Sequence, residues 1–470
     1  MDYERGDEVV ALFDYCGSDD DEELCIKKFE KLTVREDEST YWLKVKNPKT
    51  GSKGFVPKNH VAPADSLQCE DWFFGKISSR KAKKWLMKSK YPKGTFLVRE
   101  SESFPSNYVL CIKSGNSNQG YHVCNIRIQP YGEHSFCIGN EEKKFDDLKE
   151  LMEYYMVKGE IAGKKLAEPC TKKKPSIYDS RANRATSRQD NWEIPFKDIT
   201  MDEKLGEGAF GVVFAGTWRN NTKIAVKTMV ESSFSSLEDF HQEAKIMKTL
   251  VHPHILTLLG VSRSPSDGKI LIVTEFMKRG SLMSVLKVPK FNFDRCDLLQ
   301  FSKQVADGMA YLERKNYIHR DLAARNVLVD EDFDVKISDF GLSRIINADI
   351  YKSRTGICPR RWSAPEALQN RLFSTKSDVW SYGILLFEIF SLGELPYSEL
   401  SDSDDVLDVI KTGYRLPRPK RADEEVYNVM KKCWKWDANE RPDFKKICNK
   451  MESLCEEESS SSSDTEDGDD

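Results

Sequence analysis

The stretch HRDLAARN, residues 319–326, places Asp321 and Asn326 directly before the apolar run Val327 to Val329. Taken alone, this spacing is equally compatible with a solvated turn. The flanks shift the balance. NVLV and DVKIS are β-branched runs joined by the acidic turn DEDFD, the pattern of a β-hairpin. Asn326 precedes the first strand and Asp339 follows the second, so antiparallel pairing brings them to one end of a small sheet, beside Asp321. Clustered acids repel unless a cation neutralises them. Two carboxylates and an amide carbonyl are hard oxygen donors that suit Mg²⁺ carrying bound phosphate.

A phosphate site has its own candidate. KLGEGAFGVVFAGTW spaces Gly206, Gly208 and Gly211 as G-x-G-x-x-G. In a dinucleotide-binding fold a helix follows such glycines. Here the following residues, VVFAGTW and KIAVKTM, are strand-like. The glycines therefore sit at a hairpin turn, whose backbone N–H groups can cover phosphates. Lys227 lies among apolar neighbours in IAVK, and a lysine there needs an anion to offset its desolvation. The segment SSLEDFHQEAKIMKTL reads as a helix with Ser235 and Glu238 as a capping box and Phe240, Ala244 and Met247 as its apolar stripe. Glu243 falls on that face, so a Lys227–Glu243 ion pair is expected.

The positioning elements belong to a longer organisation. A chain of 470 residues has room for about three domains. With 39% hydrophobic and 31% charged residues it has an ordinary globular composition. A net charge of −4 argues against a general nucleic-acid binder. The twelve cysteines include no CxxC pair, so reduced, intracellular thiols are expected. The longest apolar runs fall far below the ~18 residues needed to span a bilayer. The opening MDYERGDEVV has neither a signal peptide's apolar core nor the Met-Gly start of myristoylation. A cytoplasmic location without a lipid anchor is the expectation. Residues 5–65 read as short strands, 72–166 as mixed strands and helices, 167–198 as a polar linker and 199–454 as a large α/β unit. The acidic serine tail, 455–470, has nothing to bury and is expected to be disordered.

The ordered set GEGAFGVV, AVK, Glu243, HRDLAARN, DFG, APE and RPDF resembles a protein kinase along the whole large unit. The resemblance implies a two-lobed α/β kinase domain using ATP and Mg²⁺. Asp321 would accept the proton of the substrate hydroxyl. Asn326 and Asp339 would hold the metal, and Lys227, oriented by Glu243, the α/β-phosphates. Beside the glycine loop, Leu205, Val213, Ala225 and Leu328 would line the adenine slot, with Thr274 at its back and backbone contacts from Glu275 and Met277. Glu366 and Arg441 would pair, and Asp378 would brace the catalytic loop. Serine/threonine kinases usually carry a lysine at the position of Ala323. Here the cation is Arg325, as in tyrosine kinases. Tyr351, in DFGLSRIINADIYKSRTG, stands where kinases take an activating phosphate, with Arg320 as its partner. CPRRWSAPE departs from the usual tyrosine-kinase FPIKWTAPE, so peptide preference does not carry over.

ALFDY, YWLKV and GFVPKNHVAP resemble a Src homology 3 (SH3) domain, a small all-β barrel whose groove binds proline-rich helices. The groove positions would be Phe13, Tyr15, Tyr41, Trp42, Pro57 and His60, with Glu22 and Glu23 facing a basic ligand residue. Tyr41 stands where the family usually has tryptophan, and His60 where it has tyrosine. WFFGKIS and GTFLVRES resemble an α+β SH2 domain. Arg99, interrupting an apolar strand, would receive phosphotyrosine, with Ser101 and Arg127 in further phosphate-contact positions. Ser79 and Asn125 replace residues more usual in that family. The order SH3, SH2, kinase resembles the cytoplasmic tyrosine kinases of the Src, Csk, Abl and Tec groups. Expected partners are tyrosine-bearing substrates, phosphotyrosine proteins and proline-rich proteins. The alternatives are a scaffold with an inactive kinase domain, and a serine/threonine or dual-specificity kinase.

Overall fold

The computed structural model describes residues 3–16, 23–37, 42–77, 79–101, 106–116, 120–131, 135–138, 143–175, 193–208, 211–219, 222–228, 244, 246–265, 268, 270–340, 344–345, 351–352, 359–400 and 406–461. Two compact units divide the chain, Met1–Ser180 and Arg181–Asp470. Tyr41, Glu22 and Glu243 lie outside the described residues, as do residues 462–470.

The first unit holds two sheets. Strands β1 (Glu8–Ala11), β2 (Lys31–Glu36), β3 (Trp42–Lys46), β4 (Lys53–Pro57) and β5 (Val61–Pro63) pair antiparallel in the order β4-β3-β2-β1-β5. Alternation places Val9, Ala11, Leu32, Val34 and Val45 in one core with Tyr15, Trp42 and Phe55. The second sheet contains β6 (Phe96–Glu100), β7 (Tyr108–Asn116), β8 (Gly120–Tyr131) and β9 (Ser135–Ile138), paired in sequence order. Its two faces bury different clusters. Phe96, Val98, Leu110 and Ile112 pack with α2 (Leu148–Lys158), whereas Leu97 and Cys111 pack with Ala82 and Leu86 of α1 (Ser79–Leu86). Asp147 caps α2 by accepting from Glu150 N, and Gly159 ends the helix at φ 77°.

The linker expected at 167–198 is tied down at both ends. Ala167 N donates to Gly94 O and Cys170 N to Phe96 O. In the second unit Ile194 N donates to Val261 O.

The second unit opens with the antiparallel sheet β10 (Ile199–Gly208), β11 (Gly211–Trp218), β12 (Thr222–Thr228), β13 (Leu258–Arg263) and β14 (Ile270–Glu275), in the order β10-β11-β12-β14-β13. A largely helical part follows. It includes α3 (Arg295–Arg314), which starts with an Asp294/Asp297 capping box. The apolar α4 (Thr375–Phe390) runs through the core beside α3 and α5 (Glu424–Cys433), and α6 (Phe444–Ser461) packs along α3. Helix α6 continues to Ser461, past residue 455 where the tail was expected to begin. No helix among the described residues is long and apolar enough to cross a membrane.

Candidate functional site

The hairpin that follows Asp321 and Asn326 forms as its sequence requires. β16 (Val327–Val329) and β17 (Val335–Ile337) pair through Val327↔Ile337 and Val329↔Val335, and β15 (Gly280–Ser281) pairs with β16. The Asp330 side chain closes the turn by accepting from Asp332 N and Asp334 N. The open end is stitched by Ser338, whose N–H and hydroxyl both donate to Asn326 O at 2.8 and 2.9 Å.

Asp321 lies at that end, 8% exposed. Arg325 Nη2 donates to its Oδ1, and Asn326 Nδ2 donates to its backbone O at 2.7 Å. Burial lifts the carboxyl to about 6; Arg325 opposes the rise and the charge of Asp339 adds to it. Asp321 and Asp339 are thus close enough to repel. Lys227 Nζ, entering from β12, lies 3.1 Å from Asp339 Oδ1. Asp339 and Arg320 both hold positive φ, 62° and 71°. Such backbone strain collects where the surroundings over-determine a functional geometry.

The scaffold under the loop is buried and polar. Asp378 on α4 accepts from His319 N at 2.7 Å and Arg320 N at 2.9 Å, and burial raises its carboxyl to about 7. His319 donates from Nε2 to Ser338 O at 3.0 Å, Asp321 N donates to its Nδ1, and burial holds its pKa down to about 4, hence neutral. Glu388, which sequence reasoning missed, accepts from Ala324 N and Trp362 Nε1, with its carboxyl raised to about 7 by burial. An acid inside YGILLFEIF was the available signal, because a charge on an all-apolar helix must have partners. Arg441 and Glu366 form a two-pronged pair at 2.7 and 2.8 Å.

Most nucleotide-slot candidates lie on the first sheet of this unit, whereas Met277 follows it and Leu328 lies on β16. Gly208 pairs with Gly211 at the hairpin turn. Gly211 has φ +147°, and an added Cβ would lie 2.2 Å from Thr228 O, so no other residue fits there. Val213 pairs with Lys227, Ala225 with Thr274, and Ser281 with Leu328. Leu205 is exposed, whereas Thr274, Glu275 and Met277 are buried. Glu275 N donates to Thr257 O, and its carboxylate accepts from Thr257 N and Lys336 Nζ. That side chain and the Glu275 N–H are therefore structural, and only the backbone carbonyl is left for a ligand.

Asn326 uses its NH₂ on Asp321 O, which turns its amide oxygen to another role. Among the described residues no group of three or more His, Cys, Asp or Glu could by itself hold a metal. A sparse set of one amide oxygen and repelling carboxylates fits Mg²⁺, which keeps waters and phosphate oxygens as ligands.

Tyr351 lies on a two-residue strand, Tyr351–Lys352, whose Tyr351 pairs with Phe373. The Arg320 guanidinium sits 4.4 Å from the centre of the Phe373 ring. The backbone thus brings Tyr351 to the residue on which Arg320 rests.

In the second sheet Arg99 pairs with Val109, which pairs with Arg127, so both arginines share a row and a face. Arg99 is buried and donates through Nη1 to Glu100 O; Arg127 is exposed, and Ser101 N donates to Asn107 O. Replacing Arg99 by lysine is expected to cost most phosphotyrosine-peptide affinity, because an ammonium cannot make the fork contact. Isothermal titration with a phosphotyrosine peptide checks this, and unchanged affinity would remove Arg99 from the site.

The proline-groove candidates are less open than expected. Tyr15, Trp42 and Pro57 are buried, and His60 is 0% exposed. The His60 ring meets Phe13 and Tyr15 edge-on at 5.8 and 5.5 Å. Burial, reinforced by the Lys174 charge, lowers its pKa to about 4. A neutral histidine inside the aromatic cluster therefore stands at the position where the resemblance has a tyrosine. Imidazole is short enough to sit wholly among the rings.

Comparison with known families agrees with this geometry. Residues 199–451 match the family described as protein tyrosine and serine/threonine kinase. Residues 72–155 match the SH2 domain and residues 10–58 the SH3 domain.

Proposed function

Since the chain belongs to the protein tyrosine and serine/threonine kinase family, with SH3 and SH2 domains preceding the kinase domain, we propose that it is an active non-receptor tyrosine kinase. It transfers the γ-phosphoryl group of ATP to protein tyrosines. The observation carrying this reading is the pairing at Asp321. Position 323 is a buried alanine, and the cation at the catalytic carboxylate is Arg325. The cation thus reaches the carboxylate from position 325 rather than from position 323, the placement of the tyrosine kinases that the sequence resembles.

In this reading Asp321 takes the proton from the tyrosine hydroxyl, while Arg325 and Asn326 fix its direction. Asn326 Oδ1 and the Asp339 carboxylate would hold Mg²⁺, and Lys227, oriented by Glu243, would hold the α/β-phosphates. Bound Mg²⁺ supplies charge neutralisation at the phosphate oxygens. The glycine turn closes over the phosphates, and the adenine lies between Leu205, Val213, Ala225 and Leu328. The domain bounds proposed are 5–65, 72–166 and 199–454, with the SH2 and SH3 domains recruiting phosphotyrosine and proline-rich proteins.

Phosphoamino-acid analysis after incubation with Mg-ATP and mixed peptides tests the assignment. Phosphotyrosine is expected. Phosphate on serine or threonine alone would overturn it, and no transfer at all would favour the scaffold alternative. Tyr351 is the proposed activating site, with Arg320 receiving its phosphate. Tyr351→Phe is expected to lower peptide phosphorylation several-fold after preincubation with ATP. Equal rates before and after preincubation in both proteins would exclude that control.

A further inference from the structure

We propose that Cys16 and Cys25 form an oxidation-sensitive dithiol whose disulfide closes the acidic segment 17–24 into a covalent ring. Tyr15 and Ile26 exchange both backbone hydrogen bonds, Tyr15 N to Ile26 O and Ile26 N to Tyr15 O, each 2.8 Å. The next pair along the two chains is Cys16 and Cys25. In an antiparallel ladder the pair following a hydrogen-bonded pair is non-hydrogen-bonded, with Cα atoms about 4.5 Å apart and side chains at their closest. That separation lies inside the range of about 4.4–6.8 Å that disulfides span. The Sγ atoms are 3.4 Å apart, in contact as two thiols. A modest χ1 adjustment brings them to the bonded distance of about 2.05 Å.

Both thiols are exposed, whereas the other cysteines among the described residues are half-buried or buried. Oxidant therefore reaches this pair before the other described cysteines. Burial also raises the Cys433 and Cys455 thiols to about 12, which suppresses the thiolate needed for reaction. Cys16 and Cys25 bracket a functional stem. Tyr15 donates its hydroxyl to the Glu23 carboxylate, and Leu24 N donates to Phe55 O at 2.9 Å. The stem ends are thus anchored to the sheet, and the bond would tie the acids between them to a fixed base.

The oxidant class is a hydroperoxide. One thiolate attacks the peroxide O–O bond, gaining oxygen as a sulfenic acid and releasing hydroxide, which takes up a proton to become water. The second thiolate attacks that sulfur. The S–O bond breaks, the S–S bond forms and the departing hydroxide is protonated to water. Two thiols lose two electrons in total, and one hydrogen peroxide is reduced to two waters.

The full-length protein is the test material. After titration with hydrogen peroxide, free thiols are alkylated and the chain is digested with trypsin without reductant. Cleavage after Arg5 and Lys27 leaves both cysteines on one peptide, residues 6–27. The expected product is that peptide lighter by two hydrogens and unalkylated at both positions, appearing at lower peroxide than any other cysteine modification and reversed by dithiothreitol. Cys16→Ser should instead leave Cys25 as a sulfenic acid trapped by dimedone, with Trp42 fluorescence reporting an intact fold. The proposal is overturned if Cys16 and Cys25 in the wild-type chain remain alkylatable while other cysteines oxidise. It is equally overturned if they end as sulfinic acids or in mixed pairs.

Discussion

Asp321→Asn yields a protein that retains nucleotide but loses about 10²–10⁴-fold in phosphotransfer, the range assigned to a positioned general base. The substitution is nearly isosteric. It can keep the Asn326 Nδ2 contact, which is to the backbone O of residue 321, and it leaves the Asp378 brace on His319 N and Arg320 N in place. What disappears is the carboxylate that Arg325 holds. Fluorescent-nucleotide binding and a peptide kinase assay on the same preparation separate the two outcomes. Near wild-type transfer would remove Asp321 from the chemistry. The wild type carries a further signature. A base works deprotonated, and burial places this carboxyl at about 6. kcat/KM should therefore fall as pH drops through about 6, and a profile flat from pH 5 to 8 would contradict the role.

Much of this site was legible because its parts are local. The hairpin 327–337 is encoded by β-branched runs and an acidic turn, and it alone places Asn326 beside Asp339. The strand-like residues after Gly211 separated a phosphate-covering hairpin from a helix-borne nucleotide motif, and β11 runs as that pattern requires. Glu388 was not legible. Its partners, Ala324 N and Trp362 Nε1, are 64 and 26 residues away, and only the folded core brings them together. The Lys336–Glu275 pair, 61 residues apart, escaped for the same reason. The burial of His60 was not legible, because side-chain type predicts burial poorly when the ring is small and amphipathic. Its neighbours Phe13 and Tyr15 close around it. Arg99 shows the opposite case: a cation interrupting an apolar strand announces itself, whatever its distant partners are.

Arg441→Met is expected to produce the largest stability loss of any single change considered, about 3–5 kcal/mol, the cost of breaking a buried ion pair from one side. Arg441 is 2% exposed. Its guanidinium meets every N–H obligation: Nε to Lys435 O, Nη1 to Glu366 Oε1 and Lys376 O, and Nη2 to Glu366 Oε2 and Trp436 O. It also lies 5.2 Å from the centre of the Trp380 ring. Methionine fills much of the volume and satisfies none of the three carbonyls. The Glu366 carboxylate loses its fork. Glu366→Gln should cost less, since an amide still accepts a hydrogen bond from Arg441 and Glu366 reaches solvent. For a domain of this size each 1 kcal/mol moves the midpoint by about 2–4 °C, so Arg441→Met should lower Tm by roughly 10 °C. Differential scanning calorimetry of the full chain, in which the kinase-domain transition should move while the others stay, checks it. A shift of less than about 2 °C would mean that water replaces the guanidinium and that the pair contributes no more than an exposed one.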